Sequence, residues 1–263
     1  MKRQGLNSRL RDTNQVKPTC APLIRPQFLA SVKNAFEARI ALAGGADILD
    51  CKDPSLGALG AVSLPAIREI VAAVGADITI SATIGDLPNE PERVAKAAEA
   101  VAAAGAHIVK WGIFETEAAD QVIDALKGAD LRGAKLVAVQ MADRNPDFSL
   151  LIRLAAAGFF GVMLDTADKS RGSLTQVLSA AEINSFVTRA HQLGLISGLA
   201  GSLRIVDIES LLSYRPGVIG FRGALCTGGR TGELSRANVE RVANAIDAAA
   251  HGTLISRPSR IIA

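Results

Sequence analysis

The sequence predicts a single (β/α)8 barrel. Short β-branched apolar runs alternate with longer Ala- and Leu-rich stretches of helical period across residues 28–250, the pattern of repeated βα units around a parallel sheet. Strand starts recur about every 19 to 34 residues, and eight such units occupy about 220 residues, close to the ~250 typical of this barrel. A doubly wound sheet is the alternative, but no G-x-G-x-x-G fingerprint follows the first strand.

The first strand, 29–32, hands over at Asn34, an N-capping residue type, to a helix at 34–43. The second strand, 47–51, precedes a helix at 64–74 with Pro65 in its first turn. Strand 78–83 leads to helix 91–104, which opens on Pro91 and stops at Gly105. Strand 107–111 is followed by helix 116–127, and strand 135–140 by helix 147–157, which ends at Gly158. The sixth unit pairs strand 161–164 with helix 175–193, ended by Gly194. The last two units pair strand 195–199 with helix 204–212, and strand 218–220 with helix 235–249 behind Ser235. Residues 1–27 and 251–263 flank this body as a basic N-terminal extension, expected to be flexible, and a C-terminal tail.

The 263-residue chain carries a formal charge of +3 with pI near 8.9. Residues 1–27 hold six basic groups against Asp12, and 251–263 add Arg257 and Arg260, which leaves 21 basic and 25 acidic groups in the body. A basic nucleic-acid-binding body is therefore excluded, and the 4% aromatic content argues against base-stacking platforms. No apolar run reaches the ~18 residues of a membrane span. Three widely spaced cysteines, Cys20, Cys51 and Cys226, fit a reducing cytoplasm, with Cys51 and Cys226 as small core residues. His107, His191 and His251 lack metal-ligand spacing, so neither metal nor cofactor is expected.

In such a barrel chemistry sits at the carboxyl ends of the strands, so polar residues in otherwise apolar strands are the informative ones. Asp50 and Lys52, two apart in the second strand, share one side of it. Lys110 interrupts the fourth strand; Asp165 ends the sixth, with Lys169 four residues on. The alternative for each alone is a solvated strand-end charge, although Lys and Asp are almost never buried unpaired. Together they reach one mouth. Burial and a second cation both favour the neutral form of a lysine, which then forms a Schiff base with an aldehyde or ketone while its neighbours move protons. The spacing therefore points to carbonyl chemistry, without choosing a substrate or which lysine is covalent. Phosphate is expected at the turns after the last two strands, where Gly201, Ser202 and Gly223 offer backbone N–H groups and Arg222 a charge. Ser81 and Thr83 either line the pocket or satisfy backbone groups, and Asp143 and Asp147 read as turn chemistry. The turn at 228–232, with Arg230, reads first as a flexible loop and second as an anion site.

These segments resemble the (5-formylfuran-3-yl)methyl phosphate synthase family. The likeness rests on Leu49 to Pro54 with Leu59, Gly60 and Ala61, on Ser81 to Asp86, on Val109 to Gly112, and on Leu164 to Thr166 with Lys169, and it spans about residues 28–247. The resemblance implies a lyase that condenses two molecules of glyceraldehyde 3-phosphate into a phosphorylated furan aldehyde, with loss of phosphate and water, toward methanofuran. By the same resemblance Lys52 is the Schiff-base lysine and Lys110 the proton acceptor, with Asp50, Asp165 and Lys169 supporting proton transfer and orientation. Two dianionic substrates require two phosphate subsites, for which Lys169, Arg171 and the last two loops are the candidates. A simpler class I aldolase or triose phosphate isomerase using the same lysine, and a catalytically silent barrel scaffold, remain as alternatives. A homo-oligomer is expected of such a barrel, with no nucleic acid or membrane partner.

Overall fold

The computed structural model describes residues 25–75 and 77–255. Eight parallel strands close into a barrel in sequence order: β1 (Gln27–Val32), β2 (Ile48–Cys51), β3 (Thr79–Thr83), β4 (Ile108–Ile113), β5 (Lys135–Met141), β6 (Gly161–Asp165), β7 (Ile196–Leu199) and β8 (Val218–Phe221). Pairing of β1 with β8 completes the ring, from Gln27 opposite Val218 to Ala30 opposite Phe221.

Helices α1 (Ala35–Ala43), α2 (Leu64–Val74), α3 (Pro91–Ala103), α4 (Ala119–Gly128) and α5 (Leu150–Ala156) follow the first five strands. Asn34 Oδ1 accepts the Glu37 amide and Ser63 Oγ the Ala66 amide, so short polar caps start α1 and α2. In α2, Ile67 and Ile70 lie one turn apart and are fully buried, each contributing roughly 1.5–3 kcal/mol by the usual burial scale.

The sixth connection differs from the single helix expected at 175–193. It forms a short α6 (Leu174–Val177) and then α7 (Ala180–Gln192), because Ser179 and Glu182 make a capping box that restarts the helix. The seventh begins as a 3₁₀ turn, Ile205–Asp207, before α8 (Ile208–Leu212). The turn at 228–232 is the tip of a hairpin, β9 (Cys226–Thr227) with β10 (Glu233–Leu234), ahead of α9 (Arg236–Ile255).

The barrel boundaries lie slightly outside the expected 28–250. Gln27 is the first residue of β1, Arg25 is ion-paired with Asp47 and Asp247, and α9 continues to Ile255. Residues 1–24 and 256–263, most of both basic tails, lie outside the described residues. No described helix is long and apolar enough to cross a membrane.

Two apolar layers follow from strand alternation. Outward residues such as Leu49, Val109, Trp111 and Leu164 pack under the helices, and Cys51 and Cys226 are buried in the same layer. Inward residues Leu29, Ile48, Val137, Met163 and Val218 fill the barrel's interior. Above them the interior turns polar.

Candidate active site

The register explains why charges gather there. Asp50 lies opposite Ser31 on one side and Ser81 on the other, and Lys110 lies opposite Thr83 and Val137, so all of these belong to the inward set. Asp50 is fully buried and accepts from three groups: Ser81 Oγ at 2.7 Å and Lys110 Nζ at 2.7 Å on Oδ1, and Ser31 Oγ at 3.2 Å on Oδ2. A buried carboxylate and ammonium are tolerated together only with this degree of satisfaction.

A second cluster centres on Asp165. Lys52 Nζ lies 3.2 Å from its Oδ2, while Oδ1 accepts from Lys169 Nζ at 2.6 Å and the Thr166 amide at 2.7 Å. Three ammonium groups thus face two carboxylates. The five side chains line one cleft of about 450 Å³ at the carboxyl end of the barrel, a size that suits a small molecule.

Burial pushes Lys110 below the ordinary lysine range, Asp50 opposes this, and the charge of Lys52 adds to it. Lys169 is lowered by burial, with Asp165 opposing and Lys52 and Arg230 adding. For Asp165 burial alone would raise the pKa, but Lys169, Lys52 and the Thr166 amide more than offset it and hold the carboxyl well below its usual range. The Cys51 thiol is pushed up to about 12 by burial and by Asp50.

The expected phosphate residues separate into two groups. Gly201, Ser202 and Gly223 line the cleft, and the amides of Gly201, Ser202, Gly223 and Ala224 have no acceptor among the described residues. Gly201 has to be glycine: its φ is +107° and a Cβ there would lie 3.0 Å from the Thr166 amide nitrogen. Ser202 follows with φ 49°, a left-handed conformation. Arg222 lines the cleft, yet all five of its N–H donors go to protein acceptors, chiefly Glu37. Arg171 is exposed, donates to the Asp143 carbonyl at 2.6 Å and does not line the cleft.

Ser81 serves the Asp50 carboxylate, whereas Thr83 donates to the Cys51 and Gly60 carbonyls. Asp147 makes the expected turn, accepting the Ser149 amide. Asp143 does more than cap a turn. It accepts the amides of Ala167 and Asp168 and so shapes the neighbouring loop that carries Lys169. Asp86 does the same for the loop after β2, taking the amides of Ala58 and Leu59. His107 Nδ1 accepts the Ile80 amide, and His191 pairs with Ser197.

Sequence reasoning missed Ser31, Glu37 and the position of Arg230. Ser31 had a signal, since two-residue alternation from Leu29 puts it on the inward face beside Asp50. Glu37 had none, because a glutamate in a first helical turn is ordinary.

Fold and cleft together fit an α/β-barrel enzyme, with lysines and aspartates lining the cleft. The family model for 4-HFC-P synthase matches residues 28–243. The chain is 37% identical to the (5-formylfuran-3-yl)methyl phosphate synthase of Methanosarcina barkeri, over 82% of this chain and 97% of that protein. It is 36% identical to the enzyme of the same name from Methanopyrus kandleri, over 78% and 92%. It belongs to the 4-HFC-P synthase family. Among solved structures, phosphoribosyl anthranilate isomerase from Thermus thermophilus matches with a TM-score of 0.61 at 15% identity, covering 84% of this chain and 98% of the other, a likeness of fold alone.

Proposed function

We propose that this protein is a (5-formylfuran-3-yl)methyl phosphate synthase that condenses two molecules of glyceraldehyde 3-phosphate through a lysine Schiff base, a step toward methanofuran. The observation that carries the reading is the pair Lys52 and Lys110: two buried lysines in one cleft, Lys110 against Asp50 and Lys52 against the Asp165 that Lys169 shares.

Lys52 is the covalent lysine. Its Nζ lies 3.2 Å from its ion-pair partner and it is the more exposed of the two, at 7% against 3%, whereas Lys110 is held at 2.7 Å by Asp50. The Lys52 amine adds to the aldehyde of one triose, and water leaves with one proton retained on the iminium nitrogen. The resulting iminium acidifies the adjacent C–H, and neutral Lys110, its pKa lowered by burial, takes that proton. The carbon nucleophile so formed attacks the second aldehyde. Two C3 units then become one C6 furan by loss of one phosphate and, in total, two waters, and hydrolysis of the C=N bond frees the product from Lys52 and returns the water lost when that bond formed. Asp165 holds Lys52 and Lys169, and the free amides of Gly201, Ser202, Gly223 and Ala224 receive a phosphate group.

Borohydride reduction in the presence of glyceraldehyde 3-phosphate, followed by peptide mass mapping, tests the imine. The expected adduct is on Lys52. An adduct on Lys110 reverses the two roles, and none on either lysine overturns the imine mechanism. Furan absorbance together with released phosphate distinguishes this enzyme from a simpler aldolase or isomerase, and loss of turnover in Lys52→Ala distinguishes it from a silent scaffold.

A further inference from the structure

The loop after β8 carries two arginines with opposite surroundings. Arg222 is 7% exposed and fully engaged. Its Nη1 donates to Glu37 Oε2 at 2.5 Å and to the Ser31 carbonyl at 3.1 Å, its Nη2 to Glu37 Oε1 at 3.1 Å and the Gly232 carbonyl at 3.0 Å, and its Nε to the Arg230 carbonyl at 2.9 Å. Its charge is cancelled by Glu37, and none of its hydrogens remains for a ligand.

Two of those acceptors, the Arg230 and Gly232 carbonyls, belong to the tip of the β9–β10 hairpin. Arg222 therefore fixes the hairpin's backbone from inside the barrel. The hairpin in turn carries the side chain of Arg230 to the loop that follows Lys52, where Nη2 donates to the Pro54 and Gly57 carbonyls, both at 2.7 Å. Arg230 pairs with no carboxylate among the described residues, and its Nε and Nη1 have no acceptor there. It lines the cleft, and its Cβ lies 3.9 Å from where a side chain on Gly223 would begin, beside the free amides of Gly223 and Ala224. Its charge also contributes to lowering Lys169.

We propose that Arg230 binds the phosphomonoester of the substrate in the cleft, and that the Glu37–Arg222 pair is a positioning device that holds it there. A partly buried guanidinium with no protein counter-ion and unused donors favours a dianion with several acceptor oxygens, and a phosphomonoester supplies these in a geometry that the planar fork matches. The role expected of Arg222 thus passes to the arginine eight residues on. The identity of the ligand as a triose phosphate rests on the proposed function, but recognition of the phosphomonoester does not.

The test uses the full-length chain and two ligands that separate phosphate binding from imine chemistry. sn-Glycerol 3-phosphate has the phosphate and no carbonyl; glyceraldehyde has the carbonyl and no phosphate. Calorimetric titration of glycerol 3-phosphate is expected to show Arg230→Gln weakening binding about tenfold or more, with partial recovery in Arg230→Lys. In borohydride trapping at Lys52, Arg230→Gln is expected to raise the half-saturating glyceraldehyde 3-phosphate concentration by a similar factor and to leave unphosphorylated glyceraldehyde within about twofold. Glu37→Gln, which frees the hairpin, should reproduce that split more weakly, whereas a merely structural effect would depress both aldehydes alike. The proposal is overturned if wild-type protein does not bind glycerol 3-phosphate, if Arg230→Gln leaves its affinity unchanged, or if trapping of both aldehydes falls equally in the variant. If wild-type protein traps neither aldehyde yet binds glycerol 3-phosphate through Arg230, the imine mechanism fails and the phosphate assignment stands.

Discussion

Lys110 Nζ lies 2.7 Å from Asp50 Oδ1 inside the barrel, with the lysine side chain 3% and the aspartate 0% exposed. This contact sets both the protonation and the stability of the site. Asp50 raises the pKa of Lys110 against the larger lowering by burial, so the carboxylate favours the protonated amine.

Asp50→Asn therefore has a defined sign. Without the carboxylate the Lys110 pKa falls further, and the pH–rate limb on which Lys110 loses its proton moves to lower pH. Breaking one partner of a buried pair also costs about 3–5 kcal/mol. Urea unfolding should show the loss of stability, and the pH dependence of proton exchange at the substrate carbon should show the displaced limb; an unmoved limb would assign the proton acceptor elsewhere.

The Asp165 carboxyl gives a stability prediction in the acid range. Its folded pKa is depressed by Lys169 and Lys52 despite burial, so the folded state binds fewer protons than the unfolded chain as pH falls through the ordinary carboxylate value near 3.8. Its contribution is fully present above that value and is lost progressively below it. The Tm of wild-type protein should accordingly drop more steeply below about pH 4 than that of Asp165→Asn, and the gap between them should close on acidification. Parallel Tm curves would show that the carboxylate is not stabilised by its two lysines.

How much of this was legible in the sequence depends on the range of the interaction. All eight strands and their order follow from local apolar periodicity, because each buried strand announces itself within a few residues. Asp50, Lys52, Lys110 and Asp165 were visible as charges in runs that burial should make apolar, and the closed barrel brings them together. Partner choice was not visible. Arg222 and Glu37 are 185 residues apart, and nothing local to Arg222 indicates that a glutamate from α1 consumes its charge. The break between α6 and α7 was local, since Ser179 and Glu182 have capping-box spacing, but the helical period on either side hid it.

The buried Cys51 thiol, with its pKa pushed up to about 12 by burial and Asp50, should not react with iodoacetamide at pH 8 while the protein is folded. Mass mapping after native labelling is expected to leave Cys51 unmodified and labelling in denaturant to modify it fully. Native modification of Cys51 would mean that the outer layer opens far more readily than its packing implies.

The loop that follows Lys52 is pinned from two sides. From the β8 side Arg230 donates to the Gly57 carbonyl; from the β3 side Asp86 accepts the amides of Ala58 at 2.8 Å and Leu59 at 2.7 Å. Gly57 itself has φ 124° and ψ −168°, a region essentially restricted to glycine, and a Cβ there would lie 2.2 Å from Asp86 Oδ2. Gly57→Ala therefore meets two separate obstacles: backbone strain of about 1–3 kcal/mol and a collision with Asp86. Asp86→Ala removes the obstacle to the methyl but strands two buried amides, at about 1–3 kcal/mol each. The two substitutions are consequently non-additive. In the Asp86→Ala background Gly57→Ala retains only its backbone strain, so the double variant should be more stable than the sum of the single losses predicts, by roughly 0.5–3 kcal/mol in a urea-unfolding cycle. Both single variants should also slow trapping at Lys52, since the loop begins at the residue after it. Strict additivity would mean that the carboxylate moves aside at no cost, and that Asp86 shapes this loop less than its two short hydrogen bonds imply.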